Sequence, residues 1–152
     1  MSYGRGTSNI ISCFGEQAMQ ISVTRDRTGK MRHVVRVRQH LLNVDEAESL
    51  GGEDTGPSPH DLYDAALGAC KALTVLWYAN RRRIPVEDIA VVIERDATDE
   101  RTGTYRLHAT LALTGPLSED QRQELLGVAG KCPVHKLMTQ VTTEISTELV
   151  AA

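Results

Sequence analysis

Two cysteines carry the chemistry this sequence offers. Cys70 lies in Ala65-Ala66-Leu67-Gly68-Ala69-Cys70-Lys71, a run of small and apolar residues. Cys132 opens Cys132-Pro133-Val134-His135-Lys136, with Lys131 just before it. Proline directly after Cys132 predicts that this cysteine caps a short helix whose first residue is Pro133. A thiol there faces unpaired backbone N–H groups and has Lys131, His135 and Lys136 close in sequence, all of which favour the thiolate. On type and spacing Cys132 is therefore the evident reactive cysteine, whereas Cys70, among apolar neighbours, needs a partner to be useful. Three other readings stand beside this one. Both cysteines fit inert buried packing. Cys70, Cys132, His135 and His60 are donor types that suit zinc, although Cys-x-x-His around a proline is a weak zinc spacing and Cys70 has no companion ligand one helical turn away. A redox sensor would use the same thiols without turnover. Cys13, in the Gly- and Ser-rich start of the chain, reads as a dispensable thiol, and His33, His40 and His108 fall on strand candidates as ordinary surface or core residues.

Cys70 is positioned by a long helix. Ser58 is a good N-cap, Pro59 fits the first helical position, and Asp61 sits three residues after the cap. From Asp61 to Ala79 the only charges are Asp61, Asp64 and Lys71. The apolar residues Leu62, Ala66, Leu67, Leu73, Val75, Leu76, Trp77 and Ala79 spread around much of the helix, which predicts a helix buried inside the fold, about 30 Å long to Asn80. Ala65, Ala66, Gly68 and Ala69 allow another backbone to come close to the sulfur. The run Arg81-Arg82-Arg83 complements the C-terminal end of the helix dipole.

Around that helix, residues 1–18 read as a flexible arm and 19–152 as a single domain. Gln20–Thr24 and Val35–Arg38 are strand candidates joined by a polar, glycine-containing loop, so two or three antiparallel strands open the fold. Gly51-Gly52 is not a phosphate loop, because no Lys-Ser/Thr follows. Ile89–Glu94 and the alternation Tyr105, Leu107, Ala109, Leu111, Leu113 predict a hairpin. Ser118-Glu119-Asp120-Gln121 is a capping box for a second helix, ended by Gly130, and Val141–Val150 alternates as a closing strand. This order lacks the βα alternation of a doubly wound sheet, so the class is α+β with mostly antiparallel pairing.

Composition narrows the function classes. The chain has 152 residues, 41% hydrophobic and 24% charged, with a net charge of −3 and a pI near 5.9. Such a balance gives no reason to expect nucleic acid. The apolar helix, interrupted by Lys71, is no convincing membrane span, and the start carries no secretory signal. The expected compartment is the cytoplasm, where three cysteines point to catalytic, redox or buried thiols rather than a disulfide framework.

Pro-Ser-Pro-x-Asp-Leu-x-x-Ala-Ala-Leu-Gly-Ala-Cys at residues 57–70, with Cys-Pro-Val-His-Lys at 132–136, resembles the osmotically inducible protein C and organic hydroperoxide resistance family (OsmC/Ohr), in its OsmC-like branch. The resemblance runs from about Met19 to Val150. It implies an α+β fold built as an intertwined homodimer, and a thiol-based reduction of organic hydroperoxides in oxidative-stress defence. It further implies Cys70 as the peroxidatic cysteine, Cys132 as the resolving one, no cofactor, and an external dithiol reductant. In the peroxidase members an Arg and a Glu hold the attacking thiolate, the Glu ten residues before it. That position is His60 here, with Asp61 next to it, and the arginine candidates are Arg25 and Arg27. Asp61 and Arg25 are thus expected at the catalytic site, and His60 and His135 at the substrate.

Overall fold

The computed structural model describes residues 20–151; the arm and Cys13 lie outside them. The chain forms two compact units, the first ending at Pro59 and the second beginning at His60.

The first unit is a three-stranded antiparallel sheet of β1 (Ile21–Arg25), β2 (His33–Val37) and β3 (His40–Val44), in that order. Val35 faces Val23 on one side and Leu42 on the other. The loop between β1 and β2 is shaped by Asp26, whose carboxylate accepts from both the N–H and the hydroxyl of Thr28. These bonds hold the Asp26 carboxyl below its ordinary range. β2 and β3 are joined by Arg38 and Gln39 alone, with Arg38 in the left-handed region at φ 54°, the backbone a two-residue hairpin requires. Beyond β3, buried Asp45 gathers the return loop by accepting from the N–H groups of Glu46, Glu53 and Thr55 and from the Thr55 hydroxyl. The Thr55 hydroxyl is the main reason the Asp45 carboxyl is lowered to about 2. A Cβ on Gly52 would lie 1.9 Å from the Glu46 carbonyl oxygen, so the Gly51-Gly52 pair serves this close backbone crossing.

The second unit contains α1 (Pro59–Arg82) from its second residue on, β4 (Asp88–Asp96), β5 (Arg106–Thr114), α2 (Glu119–Ala129) and α3 (Pro133–Thr139). α1 begins at Pro59 and ends beside Arg83, whose φ of 55° breaks the helix. β4 and β5 pair antiparallel, with Val91 opposite Leu111 and Ile93 opposite Ala109. The capping box of α2 is complete: Gln121 N–H donates to the Ser118 hydroxyl and Ser118 N–H donates to the Gln121 side chain. Val75 and Ala79 of α1, Ile84, and Leu125 and Ala129 of α2 form the buried core, with Ile89 of β4 and Leu111 and Leu113 of β5 packed against it. The α+β class with antiparallel sheets and a long helix is therefore as the sequence predicts.

Three expectations change. α1 is not buried all round. Its inner face is Asp64, Leu67, Gly68, Lys71, Val75 and Ala79, at the three- and four-residue steps of one helix face, while Leu73 and Trp77 are 68% and 60% exposed. The small residues near Cys70 serve the sheet: a Cβ on Gly68 would meet Ile93 at 3.1 Å. Finally, residues 141–150 form no strand. A strand needs an edge to pair with, and within the described residues this segment has none, leaving Ile145 84% and Leu149 100% exposed. No helix among the described residues is long and apolar enough to cross a membrane.

Candidate active site

α3 brings the two cysteines together. Cys132 is its N-cap, in extended backbone at φ −63° and ψ 146°, and Pro133 opens the first turn. The N–H of Val134, the next residue, donates to Cys70 Sγ at 3.4 Å. The sulfur that receives an N–H of this helix is thus the one from α1, and both cysteines are free thiols. Cys70 is half-buried and also lies 4.0 Å from the Thr74 hydroxyl one turn along α1.

Cys132 is fully buried. Burial pushes its thiol above the ordinary value, with the neighbouring Cys70 adding to the rise and the His135 N–H and the Lys71 charge opposing it. The His135 N–H lies near the sulfur without forming a well-shaped capping bond. The sequence expectation for Cys132 is therefore corrected. Capping position and flanking lysines favour a thiolate, but desolvation outweighs them, and Lys131 and Lys136 are exposed rather than turned onto the sulfur.

Lys71, which follows Cys70, is 6% exposed. Its ammonium donates to the Ala129 carbonyl at 3.0 Å and lies 3.3 Å from His135 Nδ1. Sequence reasoning treats Lys71 only as an interruption of an apolar helix. The available signal is its spacing: it falls on the face set by Leu67 and Val75.

The other expected residues have partners of their own. Asp61 and Asp64, on the first turns of α1, hold Arg95 of β4. Arg95 Nη2 donates to Asp61 at 2.7 Å, and its Nε donates to Asp64. The bonds to Asp61 and Asp64 raise the Arg95 guanidinium further above its ordinary range. Buried Asp64 also accepts from the Tyr105 hydroxyl at 2.9 Å, and burial, then that bond, push the Tyr105 hydroxyl up. Arg95 could have been found as the continuation of the inward alternation Ile89, Val91, Ile93 in β4. His60 pairs with Glu100 at 2.9 Å on the surface, and this hydrogen bond raises its imidazole above the ordinary value. Arg25 belongs to the first unit, where it donates to the Lys30 carbonyl at 3.3 Å.

Among the cavities that border α1, two include expected site residues. One of about 540 Å³ is lined by Tyr63, Leu67, Tyr105, Leu107, His135 and Met138, among others. The other, about 590 Å³, lies between Asp61, Gly68, Ala69 and Ala72 of α1 and Val91, Ile93 and Arg95 of β4. Neither sulfur lines either cavity, and His135 links the thiol cluster to the first. Among the described residues no group of three or more His, Cys, Asp or Glu side chains is arranged to hold a metal ion.

A long helix bearing one thiol, crossed by the head of a short helix bearing another, on an antiparallel α+β scaffold, defines the class of protein. The OsmC-like protein family model matches residues 51–148, and the chain belongs to that family. Solved structures share its fold. An osmotic stress induced and detoxification response protein from Psychrobacter arcticus is 19% identical, with a TM-score of 0.69 over 84% of this chain and 93% of that one. The organic hydroperoxide resistance protein OsmC from Legionella pneumophila is 21% identical, with a TM-score of 0.59 over 84% and 93%. The organic hydroperoxide resistance protein OhrB of Bacillus subtilis is 21% identical, with a TM-score of 0.54 over 80% and 90%. No curated protein matches the chain.

Proposed function

We propose that this protein is a thiol-dependent peroxidase that reduces organic hydroperoxides through Cys70 and Cys132. The observation that carries the reading is the Val134 N–H on Cys70 Sγ, which sets the Cys70 sulfur at the head of the helix that Cys132 caps. The Cys70 thiolate attacks the distal oxygen of R–O–OH, the O–O bond breaks, and Cys70 becomes a sulfenic acid while the departing alkoxide takes a proton to leave as ROH. Cys132 then displaces the hydroxyl from Cys70, releasing water and forming the Cys70–Cys132 disulfide. An external dithiol returns both sulfurs to thiols and is itself oxidised to a disulfide. No bound cofactor enters the cycle.

The apolar cavity beside His135, with Tyr63, Leu67, Leu107 and Met138 in its wall, suits the organic part of such a substrate. Asp61, held by Arg95, is the acid nearest in sequence to the family's glutamate position. Homodimerisation belongs to the same proposal: Leu73 and Trp77 on α1, and Ile145 and Leu149 in the C-terminal segment, present apolar side chains that a second copy would cover.

The test is consumption of cumene hydroperoxide and of hydrogen peroxide with a dithiol as reductant. The proposal expects faster turnover of the organic substrate, loss of turnover in Cys70→Ser, and a sulfenic acid at Cys70 in Cys132→Ser. Activity that survives Cys70→Ser would overturn it.

A further inference from the structure

Lys71 does something in this site that its place in an apolar helix does not explain. Lysine is almost never fully buried unless paired, yet the partners of this ammonium are a carbonyl and an imidazole nitrogen. Among the described residues no carboxylate pairs with it. A charged ammonium has three protons and no lone pair. At His135 it can only donate, so Nδ1 must hold its lone pair and the ring proton must sit on Nε2. We infer that Lys71 is a positioning residue of the thiol site: its buried ammonium fixes His135 as a neutral imidazole protonated on Nε2 and supplies the positive charge that balances a cysteine thiolate.

The inference deepens the peroxidase reading and rests on it for its purpose. The groups facing the ammonium are few. Among the described residues its own helix contributes no hydrogen-bond partner to the ammonium, Cys70 being the preceding residue and turned to the N–H of Val134. α2 contributes the Ala129 carbonyl, and α3 contributes His135 and, at its head, Cys132, whose thiol the Lys71 charge draws down. No titratable group of β4 or β5 lies within hydrogen-bonding distance of it among the described residues. Lys131 and Lys136 are exposed, where water and salt screen their charge. Lys71 therefore holds the cationic role in the cluster. The imidazole it orients lines the 540 Å³ cavity, leaving Nε2–H as the ring's donor.

The reduced full-length protein, labelled with ¹⁵N-histidine, tests this directly. Long-range ¹H–¹⁵N correlations at neutral pH should show His135 with Nδ1 bare and Nε2 protonated in the wild type, and that pattern should be lost in Lys71→Met. Alkylation by iodoacetamide at pH 7, resolved by peptide mapping over Cys70 and Cys132, should slow about tenfold in Lys71→Met, because the thiolate loses the cation beside it. Lys71→Arg, which keeps the charge, should restore most of the rate. A wild-type His135 that carries its proton on Nδ1 would overturn the inference without need of any variant. So would a Lys71→Met protein, folded by its NMR spectrum, with an unchanged alkylation rate. A wild type that consumes no hydroperoxide but gives the expected tautomer and alkylation results would instead sink the peroxidase reading and leave the role of Lys71 standing.

Discussion

At the scale of single residues, the two thiols have unequal surroundings, and the proposed cycle gives them different work. Cys70 is half open and accepts an N–H, whereas Cys132 is sealed and its thiol is pushed up by burial. Iodoacetamide at pH 7 should therefore label Cys132 far more slowly than Cys70 in the folded protein, since burial both covers the sulfur and disfavours its thiolate. The same shift affects stability. With the folded value raised, the folded chain keeps a proton that the unfolded chain gives up, so stability is full below the ordinary thiol value and falls as pH rises through the folded one. Cys132→Ala should flatten that alkaline decline, measured as urea midpoints between pH 7 and pH 10. Of these residues, both cysteines were legible in the sequence from their flanking motifs. The burial of Cys132 was not, because capping geometry says nothing about what covers the cap.

Between elements, close approach is decided by which small residue faces which neighbour. Gly68 lies under Ile93, so Gly68→Val should destabilise by about 1–3 kcal/mol through overpacking. Gly68→Ala should come closer to neutral, because about 1 kcal/mol of regained helix propensity offsets the crowding. Guanidinium denaturation of the pair checks the difference. In the first unit, the Asp45 loop makes a separate prediction. Its carboxyl is lowered to about 2, so its contribution is present above the ordinary carboxylate value of 3.8 and is lost as pH falls through the folded value. Asp45→Asn should lower the thermal midpoint at pH 7, and the gap from wild type should close on acidification towards pH 2. Most elements were readable from periodicity and caps: the β4–β5 hairpin, the Ser118 capping box and the Cys132-Pro133 start of α3 all stand where their patterns put them. The exposed side of α1 was not, because Leu73 and Trp77 are as apolar as the residues that do face the core, and composition alone cannot tell a face covered within one chain from one that is not. The Arg95–Asp61–Asp64 cluster also escaped notice, since it joins residues distant in sequence.

For the whole molecule, the account depends on two sulfurs meeting and on a second copy covering what one chain leaves open. Sedimentation should give twice the chain mass of 16.7 kDa. Paired substitutions Ile145→Lys and Leu149→Lys should shift the protein towards the monomer, because a charged ammonium resists burial in an apolar contact. The alternation of residues 141–150 is a strand signal in the sequence that finds no ladder among the described residues, so sequence and single-chain fold part company at the surface assigned to the partner. The most direct test of the central claim is the intact mass of the reduced protein after one equivalent of an organic hydroperoxide. The account predicts a loss of about 2 Da mapped to a Cys70–Cys132 disulfide in the wild type, and a gain of about 16 Da on Cys70 in Cys132→Ser. An unchanged mass, or oxidation that maps to Cys13 and persists in Cys70→Ser, would contradict it.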